Sequence, residues 1–82
     1  SMFTGIIESV AKVKRIEAEG TNQHFMLASS LAPELKVDQS VSHNGVCLTV
    51  TQLEAEGYWV TAVAETLSKS NLGNWKEGTA VN

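Results

Sequence analysis

The sequence predicts a small antiparallel β-barrel with one or two short helical turns, and three observations predict it. Strand-like runs rich in apolar and β-branched residues recur at 4–16, 22–29, 39–43, 46–55, 58–64 and from Thr79. Turn chemistry separates them, at Gly20–Thr21–Asn22, Asn44–Gly45 and Glu56–Gly57. The chain has only 82 residues. Six short strands in so small a protein gain most by curling into a closed or nearly closed sheet, which also removes exposed edges.

The first run, "TGIIESVAKVKRI", places Ile7, Val13 and Ile16 among polar residues with imperfect alternation. It reads as one long strand with a bend or bulge near Ser9–Ala11. "NQHFMLAS" follows as the second strand. "SLAPEL" reads as a single helical turn, with Ser30 as cap and Pro33 in the first turn. "QSVSH" and "VCLTVTQLEA" flank Asn44–Gly45, the dipeptide that best marks a two-residue hairpin because both positions tolerate positive φ. "YWVTAVA" is the fifth strand. "ETLSKSNLG" reads as a short helix closed by Asn71 or Gly73 in a left-handed conformation. No internal repeat, linker or low-complexity tract is legible.

Composition narrows the function. Hydrophobic residues make up 43% of the chain and charged residues 18%, enough for one core and too ordered a mixture for a disordered segment. A domain this short buries only ~60–65% of its unfolded surface, so closure or pairing matters to it. The net charge of −3 repels phosphate backbones and anionic lipid, which argues against nucleic acid and membranes as partners. One cysteine forms no internal disulfide, and no signal peptide or long apolar run is visible, so a reducing cytoplasm is expected. Ser1 before Met2 reads as a residue left by removal of an expression tag. Because Thr79–Val81 begin a strand, the chain reads as one barrel, 1–82, from a larger protein.

The chemistry concentrates in "HNGVCLTV", residues 43–50. Strand parity puts Val46, Leu48 and Val50 on the core face and Cys47, Thr49 and Thr51 on the other. That second face suits either solvent or a shallow ligand surface. Cys47 reads as an inert small residue or as a functional thiol, with His43 just across the turn. His24 and His43 lack companions at metal-ligand spacing, and no phosphate loop is present. Glu54, Glu56 and Glu65 read as solvated charges. From residue types alone, enzyme and binding module stay equally open.

The order of three motifs points further. "MFTGIIE" (2–8), "SVSHNGVCLTV" (40–50) and "ETLSKSNLG" (65–73) are followed by "GTAVN". The chain thereby closely resembles, along its whole length, the amino-terminal barrel of the alpha-chain riboflavin synthases. The resemblance implies a six-stranded Greek-key barrel, normally followed by a second similar barrel and a carboxy-terminal helix that drives trimer assembly. It implies that each barrel binds one 6,7-dimethyl-8-ribityllumazine, and that the active site forms where barrels of neighbouring subunits meet. There two lumazines dismutate to riboflavin and 5-amino-6-ribitylaminouracil, without metal or organic cofactor.

Carried over by position, Gly5, Ile6 and Ile7 should line the ring slot, and Cys47, Leu48 and Thr49 should contact the ligand. Ser40 matches a polar site residue. Thr61, Ala62, Val63, Ala64, Glu65 and Thr66 should close the other side. Phe3 should order the amino-terminal strand over the site, with Cys47, Ser40 and Phe3 the candidates for a catalytic role. Val46, Ala64 and Ser70 depart from common family residues without removing a site residue. The second barrel, and the histidine that follows this segment in the family, are absent from this sequence. The isolated barrel should therefore bind ligand but turn over poorly, and a homodimer imitating the two-barrel pair is one way for it to complete the site. The alternative is a non-catalytic lumazine- or flavin-binding antenna protein of the same fold; Thr4 and an intact "HNGVCLTV" favour the enzyme.

Overall fold

The protein is described here by a computed structural model covering residues 10–30 and 32–81. Six strands form one antiparallel sheet: β1 (Ala11–Glu19), β2 (Asn22–Ala28), β3 (Ser40–His43), β4 (Val46–Glu54), β5 (Gly57–Ala62) and β6 (Ala80–Val81). The order across the sheet is β3-β4-β5-β2-β1-β6. The β2–β3 and β5–β6 connections each skip two strands, which gives the Greek-key path, and the sheet curls so that its inner face encloses the core. Short helical pieces fill the two crossovers: a 3-10 turn at Ala32–Glu34, then α1 (Ala64–Lys69) and a second 3-10 turn at Leu72–Asn74.

Alternation explains most of the burial. In β4, Leu48 and Val50 are buried and Val46 half-buried, while Cys47, Thr49 and Thr51 are exposed. In β5 every residue but Thr61 is buried, because β2 and β4 flank it and Trp59 is the cross-strand partner of Met26. Val13, Phe25, Leu27, Val50, Val60, Ala62, Leu72 and Val81 form the centre of the core. Trp75 packs edge-on to Phe25, with ring centroids 5.0 Å apart at 69°.

The structure contains a pseudo-two-fold repeat that the sequence hides. The turn Leu35–Val41 and the turn Trp75–Val81 share one hydrogen-bond scheme. Leu35 N–H donates to Ala32 as Trp75 N–H does to Leu72, and Gln39 N–H donates to Lys36 as Thr79 N–H does to Lys76. Lys36 N–H is received by the Gln39 side chain at 3.0 Å, and Lys76 N–H by the Thr79 hydroxyl at 2.9 Å. Asp38 and Gly78 occupy the same left-handed position, with φ 74° and 92°. The β2–β5 ladder is symmetric about Met26–Trp59, flanked by Phe25–Val60 and Leu27–Tyr58. Few side chains match across the two halves because the scheme is carried by backbone groups.

The same symmetry bears on two expectations. β1 carries a bulge at Lys14, between the Val13–Leu27 and Arg15–Met26 pairs, that was not foreseen; the bend expected near Ser9–Ala11 falls at the edge of the described residues, with Ser9 outside them. Val13 is tied on its other side to Thr79 and Gly78, so β1 must change its aim just after it. Val50 is held likewise by Gln39 and Asp38, and the matching bulge falls at Thr51. The expected helix end is corrected: the left-handed residue in this crossover is Gly78, and Asn71 has φ −91°. α1 stops at Lys69 because the Ser70 backbone turns extended, while its hydroxyl donates to the Thr66 carbonyl at 2.7 Å.

Candidate ligand-binding site

Asn44 (φ 50°) and Gly45 (φ 88°) form the expected tight turn between β3 and β4. This turn fixes the pairs Ser40–Thr49, Val41–Leu48, Ser42–Cys47 and His43–Val46. Alternate pairs therefore face opposite ways. Ser40, Thr49, Ser42 and Cys47 make a contiguous exposed strip of hydroxyls and one thiol, while Val41, Leu48 and His43 are buried beneath it.

The strip continues onto β5. Thr49 immediately precedes, and Thr61 immediately follows, the antiparallel Val50–Val60 pair, so both threonines fall on the outer side of adjoining strands. Beyond Thr61 the chain passes through buried Ala62 to Val63, which is 49% exposed, and enters α1 with Ala64, Glu65 and Thr66. Glu65 is exposed and lies 3.7 Å from Lys69. The structure thus brings Ser40, Cys47, Thr49 and Thr61 to one face and sets Val63, Ala64, Glu65 and Thr66 at its end. Leu48 and Ala62 belong to the core under that face. Phe3, Gly5, Ile6 and Ile7 lie outside the described residues.

His43 does not serve Cys47. It is 2% exposed and faces inward, with Nδ1 2.8 Å from the Val41 carbonyl and Nε2 2.8 Å from the Tyr58 hydroxyl. Burial lowers its pKa from the ordinary 6.5, and the Val41 and Val46 backbone bonds oppose this only in part. A neutral ring donates from Nδ1 to Val41 and accepts from Tyr58 at Nε2. Burial also pushes the Tyr58 hydroxyl up to about 12, so the phenol keeps the proton it donates. Cys47 is exposed and free.

Two polar links on the outer face were not foreseen from the sequence. Trp59 donates from its indole nitrogen to Glu54 at 2.7 Å, which gives Glu54 a partner that its reading as a solvated charge did not foresee. His24 lies between Glu19, 2.8 Å away across its own hairpin, and Thr61, 2.7 Å away on a strand distant in sequence that β-sheet register sets beside it. A separate open cavity of about 520 Å³, bordered by Lys12, Lys14, Ser29 and Pro33, occupies the pseudo-symmetric counterpart of the Cys47–Thr49 side. It carries lysines where the strip carries hydroxyls.

A curled antiparallel barrel with a shallow strip of small polar groups over a firm core is a module suited to a flat, polar-edged small molecule. The lumazine binding domain family matches residues 4–82, and the chain belongs to that family. It is 36% identical over 83 residues to the riboflavin synthase of Photobacterium phosphoreum, covering 99% of this chain and 38% of that protein. It is 39% identical over 83 residues to the riboflavin synthase of Escherichia coli (strain K12), covering 99% and 39% respectively. For the riboflavin synthase of Saccharomyces cerevisiae the identity is 34% over 89 residues, covering 99% and 37%. The chain therefore spans a little over a third of the length of these relatives. No helix among the described residues is long and apolar enough to cross a membrane.

Proposed function

We propose that this chain is the amino-terminal barrel of a riboflavin synthase, and that its outer strip holds one molecule of 6,7-dimethyl-8-ribityllumazine or riboflavin. The observation that carries this reading is the exposed face made by the Ser40–Thr49 and Ser42–Cys47 pairs, set in register by Asn44–Gly45. Hydroxyls of Ser40, Thr49 and Thr61 suit ribityl hydroxyls, and the Cys47–Thr49 backbone suits the edge of the ring. Val63 offers an exposed apolar contact, while Glu65 and Thr66 close the end of the strip. Leu48 and Ala62 shape the floor from beneath. By family resemblance, Gly5, Ile6 and Ile7 complete the ring slot and Phe3 orders the strand across it.

In the whole enzyme two such barrels, from neighbouring subunits of a homotrimer, hold two lumazines face to face. Holding two reactants in register can contribute ~7–11 kcal/mol to a reaction between them. The remaining chemistry is loss of a proton from the 7-methyl of one lumazine, addition of a nucleophile to the other ring, and transfer of the four-carbon unit. Ser40 and Cys47, exposed on the strip, are the hydroxyl and the thiol available to this chemistry. The isolated barrel binds without efficient turnover, because the second half of its site comes from another barrel; pairing with itself would supply an imitation.

The expected result of titrating riboflavin with the isolated chain is quenched or shifted flavin fluorescence that saturates in the micromolar range. No binding at high micromolar concentration overturns the placement. A second expectation concerns Cys47→Ser in the complete enzyme. Turnover falls by at least ten-fold with ligand affinity nearly unchanged if the thiol takes part in chemistry. Parallel losses in both would reduce Cys47 to a shaping residue.

A further inference from the structure

Glu19, His24 and Thr61 form a hydrogen-bonded chain across three adjoining strands. His24 on β2 is the direct register partner of Thr61 on β5, and its Nδ1 lies 2.7 Å from the Thr61 hydroxyl oxygen. Its Nε2 lies 2.8 Å from a Glu19 carboxylate oxygen on β1. A carboxylate only accepts, so Nε2 carries the proton. In the neutral ring Nδ1 is then bare and must accept from the Thr61 O–H. The one proton of Thr61 is committed to His24, which leaves its half-buried oxygen only lone pairs to offer a further partner.

Protonating His24 reverses this. Nδ1–H then donates to the Thr61 oxygen, and the threonine proton swings outward as a donor. Other charges on this side of β1 are Glu17, opposite His24 in register, and Arg15, two residues further along. β5 contributes no titratable group to this face; its outward residues there are Trp59 and Thr61.

We propose that His24, oriented by Glu19, is a positioning residue that fixes the Thr61 hydroxyl as a hydrogen-bond acceptor for a donor group of the bound ligand, such as a ring imide N–H or a ribityl hydroxyl. This rests on the ligand placement proposed above. It adds a specificity device: the strip accepts from the ligand at Thr61 while His24 is neutral and donates to it when His24 is protonated. A ligand presenting a donor there is held at neutral pH and loosened in acid.

The test is riboflavin affinity of the isolated chain between about pH 8 and 5.5, the range in which histidines change charge and riboflavin itself does not. Wild-type affinity is expected to fall about five- to ten-fold over this range, the size of one misplaced hydrogen bond. His24→Asn, which keeps an amide oxygen near the Nδ1 position, should retain the affinity at pH 8 and give a flat profile. Thr61→Val should bind about five- to ten-fold more weakly at pH 8, also with a flat profile. A flat wild-type profile, or the wild-type slope persisting in either variant, overturns the inference and leaves the ligand placement standing. No riboflavin binding by the wild-type chain at any pH overturns the placement and the inference with it.

Discussion

Gly57→Ala is expected to leave the barrel largely unfolded at temperatures where the wild type is intact. Gly57 opens β5 and is paired on both sides, with Glu54 of β4 and Ala28 of β2. A Cβ built there collides with the Leu27 carbonyl oxygen and the Met26 methyl, both well inside van der Waals contact. The methionine tip can swing away. The Leu27 carbonyl cannot, because it is part of the β2–β5 ladder that joins the two halves of the barrel. Relief requires moving β2 away from β5 and weakening that ladder, so the expected loss is at least about 3 kcal/mol. Thermal midpoints in a domain of this size move roughly 4–8 °C per kcal/mol, so a drop of more than about 12 °C is expected in a circular-dichroism melt. Gly73→Ala is the control: nothing lies within 4 Å of its Cβ position and its φ is not positive. A shift of similar size in both variants would show that the Leu27 collision is not the cause.

The Asn44–Gly45 turn and the inside-outside parity of β4 were legible because both are local properties. The dipeptide sets the register, and the period of two sorts Val46, Leu48 and Val50 from Cys47, Thr49 and Thr51. The same parity, carried around the turn through the His43–Val46 pair, would have turned His43 inward and away from Cys47. Its partner Tyr58 was not legible, since nothing local specifies which core side chain meets a buried imidazole. The bulges at Lys14 and Thr51 depend on backbone bonds to Gly78–Thr79 and Asp38–Gln39, far along the chain. Hence neither bulge was foreseen. The repeat escaped notice for a related reason: Gln39 and Thr79 perform one task with unlike side chains. Likewise the Glu19–His24–Thr61 chain exists only once strands of two different hairpins are set side by side.

Tyr58→Phe is expected to destabilise the domain by about 1–3 kcal/mol at neutral pH, since it removes a buried donor and leaves His43 Nε2 without one. The native pair should also shape stability at both ends of the pH scale. Because folding lowers the His43 pKa from 6.5, the unfolded chain takes up the proton first as pH falls. Its contribution to stability is therefore intact above about 6.5 and declines below it. Because folding raises the Tyr58 pKa from 10.0 to about 12, the unfolded chain loses the proton first as pH rises. Stability declines from about 10 upward, by as much as roughly 3 kcal/mol near 12. Urea midpoints measured across pH should accordingly show a plateau between the two limbs, and Tyr58→Phe should flatten the alkaline limb selectively. The consequence reaches the candidate site, because His43 ends β3 and is the buried anchor beneath the Ser42–Cys47 pair. Tyr58→Phe should therefore raise amide hydrogen exchange in Val41–Leu48 more than in β1–β2. Uniform acceleration across all strands, or an alkaline limb unchanged in Tyr58→Phe, would show that the pair does not anchor this hairpin.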